Sequence, residues 1–246
     1  MRMNETDYRA WRMRLRQVTA ALIAEVIVAG ADHTQSGVVD ILLDPDKPDV
    51  GFVTPHHGAV WVPEAQVQAA LIELQAAGGR PRVQLLDGLY PPAFLASLGR
   101  LGLRLATEEP LLLLPLRFDR DIPPVELSAR PVLTADDSGA WSRLAGDQPP
   151  LAPGAVDWLI GLNGVLVGAA RFGAVGARAA RLHVWRGAGP AESPDLAELL
   201  LTAACASSAL GVDLLFAQAD LPDDRAALRA LGFRDTGALL TFEAVP

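Results

Sequence analysis

Apolar positions recur along this chain in two rhythms, and each rhythm predicts an element where it holds. From Tyr8 to Ala29, the residues Trp11, Leu15, Val18, Leu22 and Val26 return every three or four positions. That is the spacing of a helix with one apolar stripe, and Gly30 supplies its stop. Val38 to Leu43, Val50 to Thr54 and Ala59 to Val62 are short apolar runs parted by Pro, Asp and Gly, the pattern of strands joined by turns. A helix over Val67 to Ala77, a strand over Arg82 to Leu86 and a short helix over Ala93 to Leu101 follow. Gly102-Leu103 then leads into a strand from Leu111 to Leu116.

The same order returns near the C-terminus. Leu199 to Leu210 reads as a helix, Val212 to Ala219 as a buried strand and Asp223 to Leu231 as a short helix. Gly232-Phe233 leads into a last strand, Ala238 to Glu243, so Leu98…Leu101-Gly102-Leu103 matches Leu228…Leu231-Gly232-Phe233. A repeat of this size predicts two copies of one α/β unit. The charged, proline-rich segment Arg117 to Pro124 places the boundary, giving expected domains over residues 1–120 and 121–246. The second half opens with a strand over Val125 to Val132 and a helix capped by Thr134 or Asp136 that runs through Trp141 and Leu144. Strands Asp157 to Leu162 and Val165 to Phe172 flank Asn163-Gly164, the strongest short hairpin signal, because both residues tolerate the positive φ of a type I′ turn. Ala180 to Trp185 is one further strand.

Composition narrows the function classes. The net charge of −8 repels nucleic acid and anionic membranes, which need clustered cations. The one basic cluster, Arg9, Arg12, Arg14 and Arg16, reads as a solvated helix face. No apolar run reaches the roughly 20 residues of a membrane span, and the N-terminus lacks a secretory pattern. The single cysteine, Cys205, lies in an apolar helix and reads as a small buried hydrophobe. A cytoplasmic protein is the expectation.

The second half, from about Val125 to Val245, resembles the GNAT superfamily of acyl-CoA-dependent N-acyltransferases. The resemblance rests on Ala129-Arg130-Pro131 with Asp136-Asp137, on the Asn163-Gly164 hairpin running into Val167-Gly168-Ala169, on Leu182-His183-Val184, and on Leu228…Leu231-Gly232-Phe233…Gly237. The first half looks like a worn copy. The resemblance implies a mixed α/β sheet in tandem, with acetyl-CoA as co-substrate and a small-molecule or peptide amine as acceptor. The family's pyrophosphate cradle, Arg/Gln-x-x-Gly-x-Gly/Ala after the fourth strand, matches Arg186-Gly187-Ala188-Gly189-Pro190-Ala191. A second alignment puts the cradle at the helix start, Ser193 to Leu196, where Pro194 has no N–H and Asp195 repels phosphate. Val184 is then expected to lend backbone hydrogen bonds to the pantetheine arm. The first half runs from Val62-Pro63-Glu64 straight into its helix with no glycine, and no cradle is expected there.

Proton transfer is less well provided for. The family often has a tyrosine as acid five residues before the phenylalanine of Gly-Phe, and that position is Leu228 here. The base expected from the fourth strand is His183, whose imidazole suits proton abstraction near neutral pH. His56-His57 reads as a turn, and no metal site is expected. The leading expectation is an N-acetyltransferase. The alternative is a catalytically inactive GNAT-like binding or assembly module. Leu111 to Leu114 reads either as a core strand or as an interface strand, and the second reading would make a homodimer.

Overall fold

The computed structural model describes residues 5–116, 126–148, 151, 153–189, 193–207, 211–219 and 221–244. The proline-rich segment Arg117 to Pro124, Val125, Pro190-Ala191, the helix tail at 208–210 and Asp220 lie outside the described residues. In chain order the elements are α1 (Glu5–Val28), β1 (Asp32–Ser36), β2 (Val39–Leu43), β3 (Phe52–Pro55), α2 (Glu64–Ala76), β4 (Arg82–Leu86), α3 (Pro92–Arg100) and β5 (Leu103–Pro115). They continue as β6 (Leu127–Pro131), α4 (Ala135–Ala145), β7 (Val156–Leu162), β8 (Val165–Phe172), β9 (Ala179–Gly187), α5 (Pro194–Ser207), β10 (Leu214–Gln218), α6 (Pro222–Ala230) and β11 (Arg234–Ala244). This is the expected mixed α/β architecture.

Two compact units result. One comprises residues 1–111 with 237–246, and the other comprises 112–236. In the first, β1, β2 and β3 form an antiparallel meander, β3 runs parallel to β4, and β11 pairs antiparallel with β4 from Leu239↔Leu86 to Glu243↔Arg82. The last strand thus pairs inside the first unit, although its sequence follows α6. Leu15 and Val18 of α1 and Leu74 of α2 are fully buried in this unit. Gly30, at φ 104°, ends α1 as expected. Arg12 and Arg16 depart from the expected solvated face, since each has a buried guanidinium Nε.

In the second unit the strand order is β5-β10-β9-β8-β7-β6, antiparallel from β6 to β9 and parallel between β9 and β10. Asn163 (φ 51°) and Gly164 (φ 77°) turn β7 into β8 in the expected left-handed pair. Thr134 caps α4 in a reciprocal box with Asp137, and Arg130 also holds the Asp137 carboxylate. One sheet face packs Leu182, Phe172 and Leu215 against Leu200, Leu201 and Ala204 of α5. The other packs Leu159, Ala169 and Val184 against Trp141 of α4.

Cys205 is 2% exposed within this α5 layer, and burial pushes its thiol up to about 12. The thiolate, the reactive form, is therefore scarce. A maleimide or aromatic disulfide reagent at mildly alkaline pH should leave the native chain unlabelled and modify it fully in denaturant. Native labelling at the rate of a free thiol would contradict this burial.

Three strand expectations need correction. Ala59 to Val62 forms no strand, and Val60 and Trp61 are 68% and 65% exposed. β1 and the first half of β5 are strands that the pattern did not predict, because residues such as His33, Gln35, Thr107 and Glu108 are polar and exposed.

Candidate functional site

The feature that organises the second unit is the way β9 leaves its neighbours. Its parallel pairing with β10 runs Leu214↔Ala179, Leu215↔Ala180 and Phe216↔Arg181 and then stops, while β9 continues to Gly187. A wedge opens from Leu182 onward between β9 and the end of β10. At the same point the β8 register slips: Arg171 faces Val184 but Phe172 faces Leu182, so His183 is an extra residue on β9, a β-bulge. Bulges sharpen local twist and bend a strand, which accounts for the parting.

The bulge also explains the side-chain faces. Leu182 packs on the α5 side and Val184 on the α4 side, although alternation would put residues two apart on one face. His183 is exposed at the mouth of the wedge.

Backbone directions follow from the ladder. The Ala188 N–H donates to Val167 O at 2.8 Å, and the Gly173 N–H donates to Arg181 O at 2.8 Å. Antiparallel pairs alternate between bonded and non-bonded positions, so Arg186 and Val184 also turn their backbone groups to β8. Trp185 and Gly187 turn theirs to the open wedge. Of these two, the sequence pattern places Gly187 in the cradle and Trp185 in the core or the sheet cleft. Trp185 lies against Gly168, where a Cβ would come within 3.1 Å of its ring, so a larger residue there would press the indole by a few tenths of an ångström.

The expected cradle residues lie together at the end of β9 with unequal freedom. Arg186 is exposed, and its Nη1 donates back to Trp185 O at 2.9 Å. Gly187 is half-buried opposite Gly168. The Ala188 N–H is already engaged. Gly189 is exposed with φ 58°, a left-handed turn beyond the strand. Helix α5 begins after it, with the Ala197 N–H bonded to Ser193 O at 2.9 Å.

Leu228, at the position of the family acid, is half-buried against the α5 core. Its role is packing. His56 donates or accepts at Nδ1 with Asp40 in the first unit, 2.9 Å away. Among the described residues no three His, Cys, Asp or Glu side chains converge as a metal site would need. Among the same residues no helix is long and apolar enough to cross a membrane.

No family model and no curated protein matches this sequence. Solved structures do. A GCN5-related N-acetyltransferase from Kribbella flavida superposes with a TM-score of 0.57 at 17% identity, over 94% of this chain and 96% of that one. L-PGS from Bacillus licheniformis superposes with a TM-score of 0.54 at 10% identity, over 99% and 93%. A conserved protein of unknown function from Bacteroides thetaiotaomicron gives 0.55 at 9% identity, over 99% and 98%. Likeness at these identities concerns backbone arrangement alone, and in that respect this chain has the fold of the GNAT acyl-CoA N-acyltransferases.

Proposed function

We propose that the second unit transfers an acyl group, most simply acetyl from acetyl-CoA, to an amine acceptor. The observation that carries the reading is the wedge between β9 and β10 with the bulge at its apex. An extended pantetheine arm can lie along an unpaired strand edge as an added strand does, taking its hydrogen bonds from the main chain. The edge groups of Trp185 and Gly187 suit that contact, whereas Val184 faces β8. The phosphate end fits less fully. The turn Arg186 to Gly189 precedes the N-terminus of α5, where the helix dipole favours anions. Yet Ala188 has no N–H to give, and Pro194 has none at all.

Acyl-CoA supplies an activated carbonyl whose thiolate leaves readily. The chain then has to hold donor and amine together, a contribution of about 7–11 kcal/mol in well-aligned cases. His183, exposed at the bulge, takes the proton from the attacking amine. With Leu228 in the core, the thiolate departs without a side-chain acid at that position. The acceptor is a cationic amine such as a polyamine, an aminoglycoside or a lysine side chain, matching the net charge of −8. The first unit has no glycine between Ala59 and the start of α2 at Glu64 and serves as scaffold for this reaction.

Calorimetric titration with acetyl-CoA tests the reading on wild type and on Gly189→Asp. The substitution brings a carboxylate to the phosphate end at a site where a Cβ meets nothing within 4 Å. Micromolar binding, weakened at least about tenfold by the variant (1.4 kcal/mol), is expected. Because L-PGS shares the fold, the donor is decided by this titration rather than by the superposition. Absence of heat at millimolar acetyl-CoA would overturn the enzyme reading. It would leave the non-catalytic binding module, which the engaged Ala188 amide and the packed, half-buried Leu228 favour.

A further inference from the structure

Helix α2 packs on β2 and β3 with one face and carries apolar residues on the other as well. Val67, Ala70, Leu71 and Leu74 are its buried positions. Ala65, Ala69, Ile72 and Ala76 are exposed at spacings of four, three and four, so they line up along the outward side. A surface helix ordinarily turns polar or charged residues that way. Ile72 is 60% exposed, and just ahead of the helix Val60 and Trp61 are 68% and 65% exposed. Those two stand on an anchored turn. Ala59 and Val62 on either side are buried, and Arg16 Nη2 donates to Ala59 O at 3.4 Å. Large apolar side chains grouped on a surface in this way mark an interaction site.

The charges stand aside from the stripe. Glu64 and Glu73 are the only charged residues of α2, and at about 100° per residue they fall on opposite flanks. Gln66 shares the flank of Glu73, and Gln75 shares that of Glu64. The Glu64 carboxylate is already compensated, since Arg100 Nε donates to its Oε2 at 3.1 Å. The other apolar run offered by the sequence for an interface, Leu111 to Leu114, is no more than 3% exposed and is not available.

A second copy of the same face meets these demands when it is turned end to end. In an antiparallel pair with its two-fold axis level with Gln68 and Ala69, Ile72 faces the partner's Ala65, and Trp61 comes beside the partner's Ala76. Large residues then oppose small ones along the whole stripe. Like flanks also meet, so Glu73 lies beside the partner's Gln66 and Glu64 beside the partner's Gln75. Each carboxylate meets an amide, and no acid meets an acid. A parallel pair would set Ile72 on Ile72 and Trp61 on Trp61 and leave gaps at the alanines. The net charge of −8 repels two copies at long range, but salt screens that repulsion and the stripe itself is uncharged.

We propose that α2 and the Val60-Trp61 turn form a self-association surface, on which two copies of this chain pack antiparallel about a two-fold axis. The patch is smaller than the roughly 20–30 residues a side of a standard interface, so the dimer is weak and exchanging, with a dissociation constant on the order of 100 µM. This surface does not depend on acyl transfer in the second unit.

Sedimentation equilibrium of the full chain, from about 10 µM to 1 mM in about 0.15 M salt, tests it. A monomer–dimer equilibrium is expected. Ile72→Lys and Ala65→Glu should each weaken it at least about tenfold in chains that circular dichroism shows to be folded, because both positions are exposed. Mixed in equal amounts, the two variants should associate nearly as wild type does. Only the mixed pair sets the new lysine against the new glutamate and keeps one wild-type contact of Ile72 with Ala65. A chain that stays monomeric at 1 mM overturns the proposal. So does a dimer that Ile72→Lys leaves intact, which puts the interface elsewhere. A mixture that associates no better than either variant alone overturns the antiparallel register.

Discussion

A chain lacking His183 should fold and lose acetyl-CoA binding, whereas His183→Ala should bind acetyl-CoA as wild type does and turn it over slowly. The two variants separate the bulge from the imidazole. Deletion leaves Leu182 followed directly by Val184, and simple alternation then sends Leu182 to the α5 core and Val184 to the α4 core. Both side chains already sit there. Trp185 likewise keeps its place against the α5 side. The deletion therefore removes the kink without moving a buried side chain to the wrong face, and its stability cost is small. What it does remove is the bend that parts β9 from β10 after Arg181. The straightened strand pairs onward, Leu182 with Ala217 and Val184 with Gln218, so the wedge closes at its apex, next to the edge of Trp185 and Gly187. We expect acetyl-CoA affinity to fall about 100-fold, the scale on which misplacement by an ångström acts. His183→Ala keeps the extra residue and hence the wedge. Loss of a general base lowers turnover by about 10²–10⁴-fold. Wild-type affinity in the deletion variant would show that the bulge does not form the donor site. Unchanged turnover in His183→Ala would remove the imidazole from the mechanism.

The sequence was most informative where structure is local. Asn163-Gly164 specifies its turn through two residues that accept positive φ, and Gly30 stops α1 by the same means. Thr134 and Asp137 form their cap within four residues. The GNAT-like order of strands and helices was legible because it is a sequence of such local signals. The strands missed were those whose exposed residues carry no alternation, β1 and the first half of β5. The partner of β11 lies some 150 residues earlier, at Arg82–Leu86, and nothing near Leu239 encodes it. The candidate site divides in the same way. Arg186 to Gly189 was visible as a glycine turn after a strand. That Ala188 has already donated its N–H, and that His183 is one residue too many, are facts of register between β8 and β9. In the first unit, Asp40 on β2 pairs with both His33 on β1 and His56 just beyond β3, while the sequence showed only the adjacent pair His56-His57.

Asp157→Ala should be the most destabilising single substitution away from the apolar core, costing about 3–5 kcal/mol. Asp157 and Arg171 face each other across β7 and β8, with Arg171 Nε donating to Oδ1 at 2.7 Å and Nη2 donating to Oδ2 at 3.0 Å. The side chains are only 7% and 13% exposed, so water does little to screen or replace the pair. The guanidinium also lies 4.8 Å from the ring centroid of Trp141 and so ties α4 to the sheet. Removing the carboxylate leaves a buried cation facing an alanine. The penalty is the loss of that carboxylate from a buried cation and exceeds the net worth of the pair. A double variant, Asp157→Leu with Arg171→Met, should accordingly recover most of the loss, since apolar replacements of similar volume often match a buried pair. Urea denaturation followed by circular dichroism measures both, with the slope of the transition expected to stay constant. Arg171 stands opposite Val184, one residue from the bulge, so the charge pair also braces the strand that shapes the wedge. In Asp157→Ala below its unfolding transition, acetyl-CoA affinity should therefore fall along with stability, and the double variant should restore the two together. A loss under about 1 kcal/mol, or recovery of stability without recovery of binding, would break that link between the buried pair and the donor site.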